Sequence, residues 1–365
     1  MENTTKENIV NISTSPRSNF DVDPLLVAQL VSFAVIVPLN VLGNVLICWI
    51  ELSRKVVRSS SLFILNLAIS DLAVGLVSIP LDITEILSDQ WPFYGFVCKL
   101  VYPFQTVLMA VSVITLLCMA IERYRAVVTP FKCKPTSRFI IKVIVVAWAM
   151  SFLLVTPYTL ILKMKNGKCV EDWPSRDHVR IYTVSVFSVL YLLPLTLITI
   201  FYTRIGLYVQ MEAQRWKSMV RCYGTSIRQV REIAQSRHRQ NTKLIAAFIA
   251  AVMVFAVCQL PTHVIWLWHD FDTKSEGEHL DVVMPFCHIL TYLNSAIDPF
   301  IFGSLNAQLL RKKVRSMFNF QCSKKHSISC LASGNSKYNK GWKESSSSAE
   351  TEMQRLENEI KETNV

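Results

Sequence analysis

Two aspartates raise the first chemical question. Asp71, in NLAISDLAVG, and Asp298, in NSAIDPFIF, are the sole charged residues of the long apolar stretches 59–81 and 282–310. A carboxylate in hydrocarbon is costly and marks a functional site by default. Two in one bundle must be protonated, or share a proton or a cation. Ser112, Asn294 and Ser295 could add neutral oxygens, and an all-oxygen set suits a hard cation such as sodium. A structural hydrogen-bond network with one protonated aspartate accounts for the same residues, and the residues alone do not separate the two. A third charged feature, Glu122-Arg123-Tyr124, closes the apolar stretch 100–121. An arginine there also suits the C-terminal end of a helix. An uncharged feature is FAVCQLPTH, Phe255 to His263, which places Gln259, Pro261, Thr262 and His263 inside a hydrophobic run.

The elements that must position these groups are legible from charge and hydropathy. The chain has 365 residues, is 51% hydrophobic and has mean hydropathy +0.33. Stretches without Asp, Glu, Lys or Arg run over 24–50, 100–121, 143–162, 181–203 and 244–269, and with 59–81 and 282–310 they make seven. Each reaches the ~20 residues that cross a bilayer as a helix. No alternating period suggests a closed barrel. The fold class is therefore an all-α membrane bundle of seven transmembrane helices. A soluble helical protein would show charged faces on such helices.

The net charge of +11 clusters in the connectors 51–58, 122–138 and 204–243 and again after residue 310. All four lie on one side of a seven-span chain, which the positive-inside rule makes cytoplasmic. The protein is expected at the plasma membrane, with its N-terminus extracellular and its C-terminus cytoplasmic. Charges that flank spans rather than forming one face argue against nucleic acid. The expected divisions are an extracellular tail over 1–24, the bundle over 25–304, an amphipathic eighth helix over 305–320 and a disordered tail over 321–365. Asn3 and Asn11 open glycosylation acceptor triplets in the outside tail. Of ten cysteines, Cys98 and Cys169 are the pair on the outer side and read as a disulfide. Pro38, Pro80, Pro157, Pro194, Pro261 and Pro299 bend most spans.

Read in order, the motifs resemble the rhodopsin-like (class A) G-protein-coupled receptors over roughly residues 25–320. They are GN at 43–44, LAISDL at 67–72, Cys98, ERY at 122–124, Trp148, Pro194, Tyr202, Phe255, CQLP at 258–261 and NSAIDPFIF at 294–302. The resemblance implies a receptor rather than an enzyme, with no required cofactor and a heterotrimeric G protein as partner. It implies that Arg123 swings toward the G protein and is stabilised there by Tyr202. Glu122 and Tyr124 flank it, and Pro130 and Phe131 dock into the G protein. It implies a sodium pocket of Asp71, Ser112, Asn294, Ser295 and Asp298. It makes Pro194, Val113 and Phe255 a repacking core, and Pro261 the bend about which the sixth helix swings. Residues 306–318 become a membrane-parallel helix, with Cys322 as a palmitoylation site. The sequence departs from the pattern at three places. Gln259 replaces the usual tryptophan, Phe302 replaces the usual tyrosine, and Asn241 replaces the acid that often pairs with the ERY arginine.

The outer half bears on the ligand. Gln105 stands where amine receptors carry an aspartate, and Tyr292 where light receptors carry a retinal lysine. Asp82, Glu171 and Asp270 interleave with Trp266 and other aromatics, which suits a basic peptide. Gln105 with Asp270 resembles receptors for short C-terminally amidated neuropeptides, including the arginine–phenylalanine-amide and neuropeptide Y-like groups. The expected ligand is a peptide whose amidated end lies near Gln105, Gln259, His263 and Tyr292 and whose basic side chain meets Asp270 or Asp82. A small molecule or lipid ligand is the alternative within the family. A transporter using Asp71 and Asp298 is the alternative outside it, and no internal repeat supports that. Ser345 to Ser348 form a kinase-target cluster suited to receptor kinases and arrestin, and Thr363-Asn364-Val365 fits a PDZ domain.

Overall fold

A computed structural model describes residues 24–54, 59–88, 91–129, 135–223, 228–272 and 282–305, without side-chain detail over 216–223 and 228–241. Asn3, Asn11, Pro130, Phe131, the eighth helix, Cys322, the serine cluster and Thr363 to Val365 lie outside the described residues, as does the side chain of Asn241.

Among the described residues seven helices follow one another. They are α1 (Pro24–Leu52), α2 (Ser59–Ser88), α3 (Gly95–Val128), α4 (Ser137–Ile161), α5 (from Arg176 to Tyr223), α6 (Arg228–Phe271) and α7 (282–305). Six of them, α1 to α6, are long and apolar enough to cross a membrane. α7 is helical throughout its described length, and it carries His288, Asn294, Ser295 and Asp298 among its apolar residues.

Burial is arranged as lipid demands. Leu42, Val145, Leu153, Met253 and Phe300 are all more than half exposed on outward faces. Asn40, Asn44, Asp71, Asn294 and Asp298 are buried inside. Polar groups in hydrocarbon need internal partners, so they turn to the bundle axis. Close approach is needed where α1 meets α7. A Cβ on Gly43 would lie 2.7 Å from Cβ of Pro299, so only glycine fits.

The prolines do more than bend. α2 opens into a π turn at Val74–Ser78, with the Ile79 N–H bonding back to the Val74 carbonyl, and Pro80 follows. α5 repeats the device at Ser188–Leu192, with Leu193 bonding to Ser188, and Pro194 follows. Proline leaves a carbonyl without its donor, and a wider turn absorbs the mismatch. Pro38, Pro103, Pro157 and Pro261 sit inside α-helix without such a turn.

The outer connection between α4 and α5 is a hairpin. β1 (Leu162–Lys165) pairs antiparallel with β2 (Lys168–Glu171), with Met164 opposite Cys169. Asn166 and Gly167 turn it at φ 51° and 73°, which only a left-handed-tolerant pair such as Asn-Gly adopts easily. The expected disulfide joins Cys98 of α3 to Cys169 of β2, with Cα atoms 5.9 Å apart. The Trp91 N–H donates to the Gly167 carbonyl at 2.7 Å, so the first outer loop also holds the hairpin.

Candidate functional site

The candidate side chains gather at three depths along the bundle. At the outer depth, α2, α3 and α7 converge on Asp82. The carboxylate is 7% exposed. It accepts from Gln105 Nε2 at 2.8 Å and from the Tyr292 hydroxyl. His288 Nδ1 lies 3.9 Å away. One turn further out, Glu85 accepts from the Tyr102 hydroxyl at 2.5 Å. Asp82 and Glu85 lie three apart on α2, and Gln105 and Tyr102 lie three apart on α3, so the pairs stack as two rungs. Among the described residues no lysine or arginine pairs with either acid.

Three other acids at this end, Asp270, Glu171 and Asp172, have partners. Asp270 accepts from the Thr183 hydroxyl at 2.5 Å, while Arg180 Nε bonds its backbone carbonyl at 3.1 Å. Glu171 is exposed and accepts from Trp173 Nε1 at 2.6 Å. Asp172 bonds Lys163 Nζ at 2.8 Å and Lys165 Nζ at 2.7 Å, and these two ammoniums hold its carboxyl down to about 2. Of the two acids expected to meet a basic group, the structure thus keeps Asp82 in the convergent cluster and ties Asp270 to α5. Trp266 is 39% exposed and packs edge-on against His269, away from that cluster.

The floor of this region is where the motif departs from the pattern it resembles. Gln259 is buried, and its Oε1 accepts from Thr291 Oγ1 of α7 at 3.5 Å. Thr291 also meets Thr262 Oγ1 at 3.1 Å. An amide where relatives place an indole has become half of a polar clasp between α6 and α7. His263, one turn outward from Gln259, packs against the rings of Phe187 and Tyr191.

The middle depth holds the intramembrane acids. Both Oδ atoms of Asp71 are buried, as are Oδ1 of Asp298 and Oδ1 of Asn294. Asp71 and Asp298 act on each other electrostatically. Four buried, acceptor-capable oxygens from two facing carboxylates and an amide fit a small hard cation. Ser112 is less free than expected, because its hydroxyl pairs with Ser70 at 3.2 Å. Ser295 offers its hydroxyl, while its carbonyl accepts from Asn44 Nδ2 at 3.1 Å. Among the described residues no three His, Cys, Asp or Glu side chains group as a transition-metal site.

At the inner depth Arg123 is 8% exposed. Its Nε and its NH2 group each bond Glu122 at 2.5 Å, and the NH2 group reaches Ser60 Oγ at 3.4 Å. The guanidinium lies 5.8 Å above the Phe248 ring, and Phe248 packs on Phe302 at 6.0 Å. Tyr202 is partly buried with an unpartnered hydroxyl, and Tyr124 packs on Phe201 at 5.4 Å. Val113 and Phe255 share the main apolar core, and Pro194 is buried on α5.

This geometry has counterparts in known proteins. The profile of the family described as 7 transmembrane receptor (rhodopsin family) matches residues 43–302. Neuropeptide FF receptor 2 of Mus musculus is 29% identical, over 83% of this chain and 78% of that protein. Neuropeptide FF receptor 1 of Homo sapiens is 29% identical, over 84% of this chain and 75% of its own length. The pyroglutamylated RF-amide peptide receptor of Mus musculus is 26% identical, over 75% and 66%. Seven helices in sequence, a disulfide-pinned outer hairpin, an arginine latched at the inner end of α3 and a profile match across the bundle lead to one placement. The chain belongs to the rhodopsin family of seven-transmembrane receptors, which are multi-pass membrane proteins and not enzymes.

Proposed function

We propose that this receptor is activated by an extracellular peptide, basic and C-terminally amidated, and passes the signal to a heterotrimeric G protein. The observation that carries the peptide's chemistry is Asp82. It is a buried carboxylate held by an amide from α3 and a phenol from α7, without a lysine or arginine partner among the described residues. A carboxylate has room for more donors than these two. A ligand guanidinium or ammonium supplies them and the missing charge. The names of the relatives point to the same class, since two of those above are named for neuropeptide FF and one for an RF-amide peptide. Gln105, Tyr292, Gln259 and His263 line the approach for the amidated end. Asp270 and Glu171, already engaged, serve the rim.

On activation, Arg123 exchanges Glu122 for the partly buried Tyr202 hydroxyl and the G protein, while α6 pivots at Pro261. Asp71, Asp298, Asn294 and Ser295, with Ser112 as a shared fifth group, would hold a sodium ion. Bound there, sodium would offset the two carboxylates and link α2, α3 and α7. The basic connectors face the cytoplasm and the N-terminus faces outside, as the charge pattern requires. The serine cluster at 345–348 then serves receptor kinases and arrestin, and Thr363-Asn364-Val365 a PDZ domain.

The test is a library of amidated and free-acid peptides on cells expressing the receptor with a promiscuous G protein. Amidated basic peptides should activate. Asp82→Asn should reduce the potency of basic peptides far more than that of their neutral analogues. Equal losses for both, or activation by lipids or small neutral molecules alone, would remove the basis of the proposal.

A further inference from the structure

His263 is the unsatisfied group of the outer site. The residue is 7% exposed, and its Nε2 is buried with no hydrogen-bond partner. A buried polar nitrogen left unpaired is costly. Its neighbours offer faces rather than partners. The Tyr191 ring lies 5.1 Å from it and the Phe187 ring 5.7 Å, centroid to centroid. The Tyr191 hydroxyl is committed to the Ala256 carbonyl at 2.8 Å. Gln259, on the same face of α6 one turn inward, has its Oε1 turned to Thr291. What remains is an aromatic wall with one free ring nitrogen, next to a position where a smaller amide replaces the indole usual in the family.

We infer that His263, walled by Phe187 and Tyr191, receives an aromatic group of the ligand that carries its own N–H or O–H, an indole or a phenol rather than a plain phenyl. This rests on the peptide reading above for the direction of entry. A phenyl ring matches the wall but leaves Nε2 bare. An aliphatic chain matches neither the wall nor the nitrogen. A cationic group is better served at Asp82. An indole N–H donates to Nε2 when the imidazole proton is on Nδ1, and a phenol can donate or accept and so serves either tautomer. The contacts between ring edges and faces add to the hydrogen bond rather than compete with it.

The experiment is binding of single amino-acid amides to the purified full chain, read from concentration-dependent thermal stabilisation. The probes are tryptophan amide against 1-methyltryptophan amide, and tyrosine amide against O-methyltyrosine amide. In the wild type each parent should bind roughly tenfold tighter than its methylated partner. His263→Phe, which keeps a ring but removes the nitrogen, should erase that gap. Each variant is referred to its own ligand-free melting point. If His263→Phe shows no cooperative transition, His263→Leu supplies the comparison. Equal binding of parent and methylated probes, a gap that survives loss of the imidazole, or no stabilisation at millimolar concentration by any probe overturns the inference. These probes bypass signalling and the peptide panel. A failed panel leaves the aromatic result readable, and a failed aromatic result leaves the Asp82 test intact.

Discussion

The inner end of α3 invites a quantitative perturbation, Glu122→Gln. In many family members an acid on α6 shares the task of restraining this arginine, but here Asn241 occupies that position. The restraint visible among the described residues is local. Two charge-assisted bonds of 2.5 Å run from Arg123 to its sequence neighbour, backed by Ser60 and the Phe248 face. The pair is about nine-tenths buried, with 10% exposure for Arg123 and 13% for Glu122. Glutamine keeps the shape and one acceptor but loses the charge. The loss should be about 2 kcal/mol, the difference between a charge-assisted pair and a neutral bond at a mostly buried site. Ser60 and Phe248 keep part of the restraint, which holds the figure below the full cost of breaking a buried ion pair. A free energy of that size is about thirtyfold in a two-state equilibrium, so a receptor active about one time in a hundred would become active about one time in four. The assay is ligand-independent G-protein dissociation or second-messenger output, normalised to surface expression. Basal output unchanged from wild type at equal expression would refute the reasoning, because it would mean the Glu122 contact does not distinguish the two states.

Other consequences are equally direct. Gln259→Leu breaks the α6–α7 clasp at its long 3.5 Å bond, while Thr291 keeps Thr262. Basal or ligand-driven signalling should shift by about twofold to tenfold, and a variant that signals as wild type would show the clasp is idle. Asp71→Asn should abolish any difference in agonist affinity between sodium chloride and choline chloride, and a sodium effect that persists would place the ion elsewhere. Cys98→Ser opens a disulfide with sequence separation 71, at a cost of about 2–4 kcal/mol. The variant should melt lower and bind poorly, measured on surface-expressed receptor. Asp172, held down to about 2 by Lys163 and Lys165, stabilises the hairpin above its ordinary range and loses that contribution only as pH falls toward 2. Asp172→Asn should therefore leave the shape of the binding profile between pH 5 and 8 unchanged.

Hydropathy made the bundle legible. A helix must satisfy its own backbone in lipid, so charge-free length maps onto span almost without interference from tertiary contacts. Cys98 and Cys169 were legible because compartment restricts which cysteines can meet. The hairpin was within reach and went unread, although Asn166-Gly167 between β-compatible residues is its signal. The π turns were not within reach. Pro80 and Pro194 say only that a carbonyl loses its donor, and whether the helix kinks or widens depends on what packs beside it. The different partners of Asp82 and Asp270 were closed to sequence for a similar reason. Thr183 reaches Asp270 only because α5 and α6 run side by side at that height. Ser112 likewise turned to Ser70, a partner set by the rotation of α2 against α3.

The two clearest departures from the family pattern, Gln259 and Phe302, are opposite in kind, and each finds its partner across the same helix pair. At the outer end a bulky apolar indole has become an amide, and α7 answers with Thr291. At the inner end a tyrosine has become Phe302, and α6 answers with Phe248, which also lies under Arg123. The polar contact lies at one level and the apolar contact at the other, so α6 and α7 are joined at both. The Phe248 ring lies between Phe302 and Arg123, in contact with both. Phe248 thus touches both Arg123 and Phe302, and Gln259 touches Thr291, so α6 carries a contact to α7 at each level. Pro299 lies between the two contacts on α7, and Pro261 lies just beyond Gln259 on α6.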